Sequence, residues 1–359
     1  MIKLNLTKNQ YFDCLNLSDG LFYPVTGFLD KENFISVINN LKLSNESPWV
    51  YPVSLDIDPK HKQSLKVGQK IDLFYDGKLF GSLNVSDFFF VDNKEIALTL
   101  FGTTDLNHPG VAFELNKSNF RIGGEIEIRR NKGKKDFTSV SQIKEMISKT
   151  GAQTFVGFQT RNPPHRAHEY IHRTVLELYD GLLINPLTGW KKSGDFKEEA
   201  VMSGYNAMIK NYYKECNIIL EPLRTSMLYA GPKEAIHHAL MRRNMGCTHF
   251  VVGRDHAGVS DYYENYEAHS FIQKMIKKGY DFGIKFILIK EPVYCYKCQH
   301  VVTEKSCGHL PSEAHLRISG SMVRKYLHNG LVPPEQFMRP EVSKSLLGMK
   351  DDLFILEEI

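Results

Sequence analysis

Ten residues from Gln159 to His168 combine side chains that could bind a phosphate or another oxyanion. They read QTRNPPHRAH and follow an apolar run, TFVGF, that predicts a buried strand. Two consecutive prolines are preset for the first turn of a helix, which we predict over about 165–179. The N–H groups and dipole of a helix N-terminus favour anions, and Arg161 adds guanidinium donors. His165 and His168, three apart, would lie on one face of that turn. The stretch therefore predicts a phosphate-binding site.

The histidine pair also has plainer interpretations. An isolated HxxH is more often two ordinary polar residues on a helix, or half of a zinc site. A zinc protease of the HExxH type is excluded, because the glutamate is missing and the histidines are three apart instead of four. The preceding strand, Arg161 and the proline-led helix start together favour a nucleotide-handling site.

A second cluster, GRDHAG at 253–258, follows the apolar run HFVV. Its outer glycines let the backbone approach a ligand closely, and Arg254 and His256 can donate hydrogen bonds to phosphate oxygens. Alone, such a loop is more often a plain turn. Two clusters at equivalent strand ends of one sheet make a ligand site the better interpretation. On the helix before this cluster, we interpret His237 and His238 as one surface and one packing position.

Three of the six cysteines are clustered with a histidine at metal-ligand spacing. The motif is Cys295-x2-Cys298-x8-Cys307-x-His309. Four such donors suit a four-coordinate structural zinc, and the alternative is three unpaired thiols in a loop. His309 lies only two residues after Cys307, closer than we expect, so His300 and His315 remain alternatives for the fourth ligand.

The two oxyanion-binding clusters lie in a region where short apolar runs alternate with helical stretches. The runs predict strands in TFVGF, GLLINPL, NIILEPL, HFVVG and IKFILI. The predicted helices cover about 165–179, 198–214, 232–245 and 262–278. This alternation predicts βαβ units and a doubly wound parallel-sheet α/β domain, with ligands at the carboxyl ends of the strands. No GxxxxGK[ST] occurs, which excludes a phosphate-binding loop of that type.

The regions on either side of this domain have different patterns. The preceding residues read as short strands in VYPVSLDI, KIDLFYDG, KLFGSLNVSDFFFVD and EIALTLFG, with Asp76-Gly77 as a hairpin turn. The charged stretch 129–140 is the predicted linker. After about Glu313, SGSMVRKYLHNG and PPEQFMRPEVSKSLLG predict two more helices. The predicted domains are therefore a mostly β domain over 1–145, an α/β domain over 146–290 and a small C-terminal domain over 291–359.

The composition indicates a globular protein. The chain has 359 residues, 42% of them hydrophobic, and a net charge of +4 from 45 basic and 41 acidic residues. This near balance, without a basic or aromatic stripe, argues against a nucleic-acid or membrane partner. The N-terminal residues do not have the pattern of a signal peptide, and the longest apolar runs are far short of the roughly 20 residues that span a bilayer. We therefore expect a cytoplasmic protein.

Several stretches closely resemble signature blocks of one enzyme family, the ATP sulfurylases. They are DGLFYPVTGFL, GTTDLNHPGVAFEL, QTRNPPHRAHEY, LRTSMLYAGPKEAIHHALMRRNMGCTHFVVGRDHAG and LRISGSMVRKYL. The resemblance implies a PUA-like β domain, an adenylyltransferase α/β domain of the HIGH-type nucleotidyltransferase superfamily and a small C-terminal segment, which binds zinc in some members. It also implies transfer of the adenylyl group of ATP to inorganic sulfate, giving adenosine 5'-phosphosulfate (APS) and pyrophosphate.

The resemblance further implies roles for individual residues. The implied sulfate ligands are Gln159, Arg161 and the backbone N–H of Ala257. The implied ATP-binding residues are Gln159, Thr160, Asn162, Gly253, Arg254, Asp255, His256 and, from a block that matches less closely, Ile289. The implied catalytic residues are Thr160, Arg161, Asn162, His165 and His168. Mg²⁺ carried by ATP, a structural Zn²⁺ and a homo-oligomeric assembly, such as a dimer, are further expectations.

These residue types suit the implied reaction. Sulfate is a poor nucleophile and ATP is heavily anionic, so repulsion and orientation are the main obstacles and no general base is needed. Donors that place sulfate in line with the α-phosphorus contribute on the order of 7–11 kcal/mol through positioning. Two alternatives stay open: another nucleotidyltransferase of the same superfamily with a phosphorylated or carboxylated acceptor, and an RNA-binding protein with a PUA-like domain and a Cys-rich knuckle.

Overall fold

The computed structural model of the chain describes residues 2–129, 137–309, 313–349 and 352–355. The chain divides into two compact units, each assembled from three stretches. The first unit comprises Met1–Glu145, Arg224–Gly246 and Asp255–Lys285, and the second comprises Met146–Leu223, Cys247–Arg254 and Phe286–Ile359. Of the predicted linker, residues 130–136 lie outside the described residues. The division into three consecutive domains stays a prediction.

The N-terminal part of the first unit is built on a mixed sheet. Its elements are β1 Lys3–Asn5, α1 Lys8–Ser18, β2 Gly27–Phe28, α2 Lys31–Asn40, β3 Leu55–Ile57, a 3-10 helix Pro59–Ser64, β4 Lys70–Tyr75, β5 Lys78–Phe90, α3 Asn93–Phe101, α4 Pro109–Leu115 and β6 Phe120–Ile128. The strand order is β1-β4-β5-β6-β2, with β3 also paired to β6. Asp76 and Gly77 both have positive φ, 50° and 69°, as a two-residue type I′ hairpin turn requires, so the predicted β4–β5 hairpin is confirmed.

The stretch EIALTLFG, predicted as a strand, is helical in α3, and that prediction is wrong. Asp92 caps the helix through its carboxylate, which accepts from the N–H of Lys94 at 2.8 Å. Gly102 ends it in the left-handed conformation with φ of 74°. The buried residues Ile96 and Leu100 are four apart, which is a helical spacing that the apolar run concealed.

The core of the second unit is a parallel sheet. The elements from residue 140 onward are α5 Val140–Lys149, β7 Phe155–Thr160, α6 Arg166–Leu178, β8 Gly181–Pro186, α7 Glu198–Tyr212, β9 Ile218–Leu220, α8 Gly231–Asn244, β10 His249–Val252, α9 Glu267–Lys277 and β11 Lys285–Leu288. Of these, α8 and α9 belong to the first unit. The strand order is β11-β10-β7-β8-β9, and the pairs β10–β7, β7–β8 and β8–β9 are parallel. The order reverses between β7 and β10, which is where ligands bind in sheets of this type. The predicted parallel sheet is confirmed.

The C-terminal elements belong to the same unit. They are β12 Val293–Cys295, β13 His300–Val302, β14 His315–Arg317, α10 Gly320–His328 and α11 Pro340–Leu347. The three strands form a small antiparallel sheet in the order β13-β12-β14. Val323 of α10 and Val342 of α11 are buried in one hydrophobic core with Val156 of β7 and Leu182 of β8. The two helices therefore complete the core that holds the strand ends in position.

Among the helices of the described ranges, none combines the length and the apolar character needed to cross a bilayer.

Candidate active site

The carboxyl end of β7 turns sharply at the residues predicted to bind phosphate. Thr160 is buried, and its hydroxyl donates to the carbonyl of Asn162 at 2.9 Å while it accepts from the N–H of Asn162 at 3.1 Å. These two bonds close a tight turn with Arg161 between the bonded residues. The turn fixes where the guanidinium group leaves the backbone.

The helix after this turn begins later than the prolines indicate. α6 starts at Arg166, so Pro163 and Pro164 precede the helix instead of forming its first turn. His165 is the N-cap, with extended backbone (φ −114°, ψ 173°), and its Nδ1 accepts from the N–H of His168 at 3.3 Å. A histidine ring therefore fills the capping role that Ser, Thr, Asp or Asn usually has.

The two histidines of the HxxH motif lie on one face, as predicted. The rings of His165 and His168 stack with their centroids 3.8 Å apart and an interplanar angle of 23°. Nδ1 of His168 lies 3.4 Å from the hydroxyl of the buried Tyr205, and the ring of Phe158 meets His168 edge-on at 5.3 Å. Both imidazoles are thus held in one orientation by their neighbours.

Burial keeps both of these histidines neutral at pH 7. It lowers the pKa of His165 to about 4. It also holds the pKa of His168 well below the ordinary value, and the nearby rings of His165 and His172 lower it further. Because Nδ1 of His165 is a hydrogen-bond acceptor, the proton of the neutral ring is on Nε2. The pair therefore offers neutral N–H donors to a ligand instead of full positive charges.

A residue without a predicted role holds the turn from the C-terminal side. Nη1 of Arg324, on α10, donates to Oδ1 of Asn162 at 3.0 Å and lies 3.4 Å from Oδ1 of the buried Asp195. Gly320 packs against the same amide, because a Cβ there would lie 2.8 Å from Cγ of Asn162. The sequence predicted a helix in SGSMVRKYL and a family signature block in LRISGSMVRKYL, but it assigned no role to Arg324. An arginine one turn inside a Ser-Gly-Ser helix start was the available signal.

Basic side chains are concentrated around Arg161. Lys191 is only 5% exposed, and its Nζ donates to a main-chain carbonyl at 2.6 Å. Burial lowers the pKa of Lys191, the negative charges of Asp195, Glu198 and Glu199 act in the opposite direction, and the charge of Arg161 lowers it further. Burial also lowers the pKa of Lys192 against the effect of Asp195, and Arg161 and Arg324 add to the lowering. A bound anion would stabilise the charged form of both partly desolvated lysines.

The end of β10 lies beside the end of β7. The register pairs Phe250 with Gly157, so the two strands run together to their carboxyl ends. Gly253 and Arg254 follow directly, and Nε of Arg254 lies 3.2 Å from Oε1 of Glu291. The start of the GRDHAG cluster therefore lies at the same sheet edge as the turn after β7.

Ile289, the residue predicted to border adenine, directly follows β11. Its N–H donates to the carbonyl of Val252 at 3.1 Å, and its side chain packs against the core of the second unit. It thus lies next to Gly253 at that edge of the sheet.

The remaining residues of the GRDHAG cluster belong to the first unit. Ala257 has a left-handed φ of 56°, and its carbonyl accepts from the N–H of Gly231 at 3.2 Å. Gly258 has no room for a side chain, because a Cβ would lie 1.8 Å from Oδ1 of Asp255. The loop is therefore folded tightly on itself and onto the start of α8.

His256 contacts a buried histidine of α8. Its Nε2 lies 3.0 Å from Nδ1 of His238, which is 0% exposed. The neighbouring His237 is 3% exposed, so the interpretation of one histidine of this pair as a surface residue is wrong. The reason is that α8 is buried on almost every face, including most of its polar residues. The prediction assumed a helix with one buried face and one exposed face.

The Cys/His motif forms one compact donor set. One ligand atom from each of Cys295, Cys298, Cys307 and His309 lies within 4.8 Å of all the others. The recorded Sγ–Sγ distances are 3.7 and 3.8 Å, and those from Sγ to Nδ1 of His309 are 3.4 to 3.7 Å. A tetrahedral ion with arms of about 2.3 Å to sulfur requires edges of about 3.8 Å. The four side chains could therefore hold a metal ion.

The two alternative histidines lie outside this donor set. Nδ1 of His300 lies 2.6 Å from the carbonyl of Cys298, so that ring is bonded to the main chain. Nε2 of His315 lies 3.6 Å from Sγ of Cys307, at the periphery of the cluster. The arrangement favours His309 as the fourth donor.

Two family models together match most of the chain. The model described as ATP-sulfurylase matches residues 136–349, and that of a PUA-like domain matches residues 1–131. The chain is 40% identical over 351 residues to the sulfate adenylyltransferase of Staphylothermus marinus, across 97% of this chain and 91% of that protein. It is 41% identical over 334 residues to the sulfate adenylyltransferase of Thermococcus onnurineus, across 92% and 86% of the two proteins.

A solved structure has a similar fold. It is the hexameric APS kinase from Thiobacillus denitrificans, with a TM-score of 0.72 and 20% identity. The match covers 98% of this chain but 63% of that one, so this chain spans less than two thirds of that protein. At this level of identity the likeness concerns the fold alone.

The PUA-like domain, the parallel sheet and these matches define an enzyme of the nucleotidyltransferase class. Within that class, the chain belongs to the ATP-sulfurylase family. This assignment favours the first of the three functions considered from the sequence.

Proposed function

We propose that the turn after β7 and the GRDHAG loop carry out the reaction of this family. The chain transfers the adenylyl group of ATP to inorganic sulfate and gives APS and pyrophosphate. The observation that carries the assignment of the site is the group of basic side chains at the tight turn after β7: Arg161 lies within the turn, Arg324 donates to Asn162, and Lys191 is buried, with its pKa lowered chiefly by that burial. Such a group favours a multiply charged anion over a neutral ligand.

Sulfate would be bound by Gln159, Arg161 and the backbone N–H of Ala257. A guanidinium group binds a tetrahedral oxyanion through two parallel N–H donors, which fixes its orientation as well as its position. The tight turn between Thr160 and Asn162 supports this role, because it restricts the backbone that carries Arg161.

ATP would be bound by residues from both motifs. They are Gln159, Thr160, Asn162, Gly253, Arg254, Asp255, His256 and Ile289. Asn162 is supported by its hydrogen bond from Arg324, so its amide is oriented before a nucleotide arrives. Pre-orientation of this kind lowers the cost of ordering side chains on binding.

The catalytic residues would be Thr160, Arg161, Asn162, His165 and His168. Sulfate oxygen forms a bond to the α-phosphorus as the bond from that phosphorus to the pyrophosphate oxygen breaks, so negative charge grows on the leaving group. The Nε2–H of neutral His165 and the ring of His168 would donate hydrogen bonds to those oxygens. One such donor contributes roughly 3–4 kcal/mol to transition-state stabilisation. No proton is removed from sulfate, so neutral histidines suffice.

Two metal ions complete the proposal. Mg²⁺ would arrive bound to the ATP phosphates, where it neutralises part of their charge. The basic side chains around Arg161 would not be its ligands, because they are themselves cations. Zn²⁺ would be held by Cys295, Cys298, Cys307 and His309, because thiolate and imidazole donors at these distances match its preferred tetrahedral geometry. With four protein ligands, that zinc would be structural.

A homo-oligomer, such as a dimer, is the further proposal for assembly. It is supported by family resemblance only, and light scattering of the purified chain tests it directly. A monomer at micromolar concentration would contradict it.

The decisive experiment is a coupled assay on the purified protein in both directions. Forward activity is measured as molybdate-dependent release of pyrophosphate from ATP, and reverse activity as ATP formation from APS and pyrophosphate. We expect both activities to require Mg²⁺. We expect Arg161→Met to lose the pyrophosphate release that depends on the oxyanion. Activity that is independent of sulfate or molybdate in the wild-type protein would reject the proposed acceptor.

A further inference from the structure

Three ionisable residues of the first unit form a chain that ends in the GRDHAG loop. Oε1 of Glu234 lies 3.3 Å from Nε2 of His238, and Nδ1 of His238 lies 3.0 Å from Nε2 of His256. Glu234 is 1% exposed and His238 is 0% exposed. A carboxylate and an imidazole are thus buried behind a loop histidine that the proposed function assigns to ATP.

The carboxylate of Glu234 accepts two hydrogen bonds from the main chain. Oε1 accepts from the N–H of Leu228 at 2.9 Å, and Oε2 accepts from the N–H of Ala230 at 3.0 Å. Hydrogen bonds from backbone N–H groups stabilise the charged form of a buried carboxylate. Glu234 is therefore fixed in position before any ligand binds, and these two bonds favour its charged form.

This fixed charge selects one arrangement of protons along the chain. A carboxylate beside Nε2 of His238 favours the proton on that nitrogen, which leaves Nδ1 of neutral His238 as a hydrogen-bond acceptor. The hydrogen bond between the two histidines then requires Nε2 of His256 to be the donor. His256 accordingly has its proton on Nε2, and Nδ1 is its other ring nitrogen.

The surroundings of the pair hold this geometry. The ring centroids of His238 and His256 are 5.3 Å apart at 65°, so the imidazoles meet at an angle instead of stacking. The carbonyl of His238 accepts from Nη1 of the fully buried Arg242 at 3.3 Å, one turn along α8. Packing alone would be served equally well by an apolar residue at position 238, whereas a buried imidazole needs polar partners.

We infer that Glu234 and His238 are positioning residues that fix the ring orientation and the tautomer of His256, so that Nδ1 faces the nucleotide as a hydrogen-bond acceptor, which suits a ribose hydroxyl and not the phosphate oxygens. This inference rests on the proposed function only in the assignment of His256 to the nucleotide. Glu234 and His238 do not touch the substrate. They act through the histidine, as a carboxylate commonly orients a functional imidazole.

The kinetic test uses two substitutions of His238 and a matched control on the same helix. His238→Leu removes the acceptor for His256, and His238→Asn keeps a polar group close to the position of Nδ1. We expect His238→Leu to lower kcat by on the order of 10-fold to 100-fold, as for outer partners of functional histidines, with KM for sulfate unchanged. Asparagine should restore part of the loss.

The control is His237→Leu, which replaces the adjacent buried histidine outside this chain of contacts. Thermal unfolding is measured for all variants. Equal kinetic losses in His237→Leu and His238→Leu would overturn the inference, because the effect would then be general destabilisation. A loss of activity in His256→Leu without any kinetic change in His238→Leu would overturn it as well, while leaving the proposed function intact. Full activity of His256→Leu would instead reject the assignment of His256 to ATP.

A spectroscopic test determines the tautomer of His256 directly in the wild-type protein, and a substitution is needed only to assign the signal. Two-bond ¹H–¹⁵N correlation spectra of ¹⁵N-histidine-labelled protein distinguish the two neutral tautomers of each of the 14 histidines. His256→Gln assigns the signal of interest. We expect His256 to have its proton on Nε2, and a proton on Nδ1 in the ligand-free protein would overturn the inference.

Discussion

The turn after β7 and the Cys/His cluster both lie in the second unit and both use histidine, yet they are built differently. In the Cys/His cluster, four donor atoms lie within 4.8 Å of one another, so one ion can use all of them. Around the turn, the rings of His165 and His168 stack at 3.8 Å, and basic side chains lie near Arg161 together with the carboxylate of Asp195. Four donors around one point suit a resident ion, whereas a set of N–H donors and basic side chains suits an anion that arrives and leaves.

The largest effect is expected from removing a hydrogen-bond donor next to the turn after β7. His168→Ala should lower turnover by about 10²–10³-fold, because one donor to the developing charge is lost. Molybdate-dependent pyrophosphate release measures it, and circular dichroism checks that the fold is retained. Near-normal release from the folded variant would remove His168 from the catalytic residues.

Removing a ligand from the Cys/His cluster should lower the stability of the protein and leave its catalytic rate nearly unchanged. Cys298→Ser should lose bound zinc and lower the Tm, by about 2–4 °C for each kcal/mol lost in a unit of this size. At temperatures well below the Tm, kcat should stay within about twofold of the wild type, since a structural zinc does not enter the reaction. Elemental analysis of the same samples is the check. Wild-type protein purified without zinc would contradict the zinc assignment.

A smaller effect is expected from the residue that holds the turn. Arg324→Met removes the hydrogen bond to Asn162 and leaves the buried Asp195 without this guanidinium neighbour. A charged hydrogen bond contributes about 1.5–3 kcal/mol, so kcat/KM for ATP should fall by roughly 10-fold to 100-fold. The control is Arg173→Met, which breaks a half-exposed ion pair on α6 and should change kcat/KM little. Equal values for both variants would show that the turn does not depend on Arg324.

At neutral pH the smallest effect is expected at a buried histidine, because its contribution to stability changes only in acid. Burial lowers the pKa of His172, four residues beyond His168, from its ordinary 6.5 to about 3. Between these values the unfolded chain binds a proton at this position and the folded chain does not, so stability is present above about pH 6.5 and declines as the pH falls toward 3. His172→Phe should therefore show a shallower decline of Tm over this range. Parallel Tm curves for the variant and the wild type would refute the assignment of this acid sensitivity to His172.

Much of the fold could be predicted from local pattern. The strands of the parallel sheet, the hairpin turn at Asp76-Gly77 and the Cys/His spacing all depend on residues close together in the chain. The failures have a common cause. The helical EIALTLFG stretch, the position of Pro163 and Pro164 before α6 and the burial of His237 depend on capping groups and on neighbours far away in sequence, which periodicity does not record.

The sequence by itself determined the family and the residue types at both strand ends, because the QTRN, HxxH and GRDHAG motifs are contiguous. Only the tertiary structure decided that the HxxH histidines are neutral and that Arg324 donates a hydrogen bond to Asn162. It also decided that His238 contacts His256 on one side and Glu234 on the other. Burial, hydrogen-bond partners and tautomers are properties of groups brought together by folding. Residues up to about 160 positions apart in the chain set them, so no local pattern in the sequence could contain them.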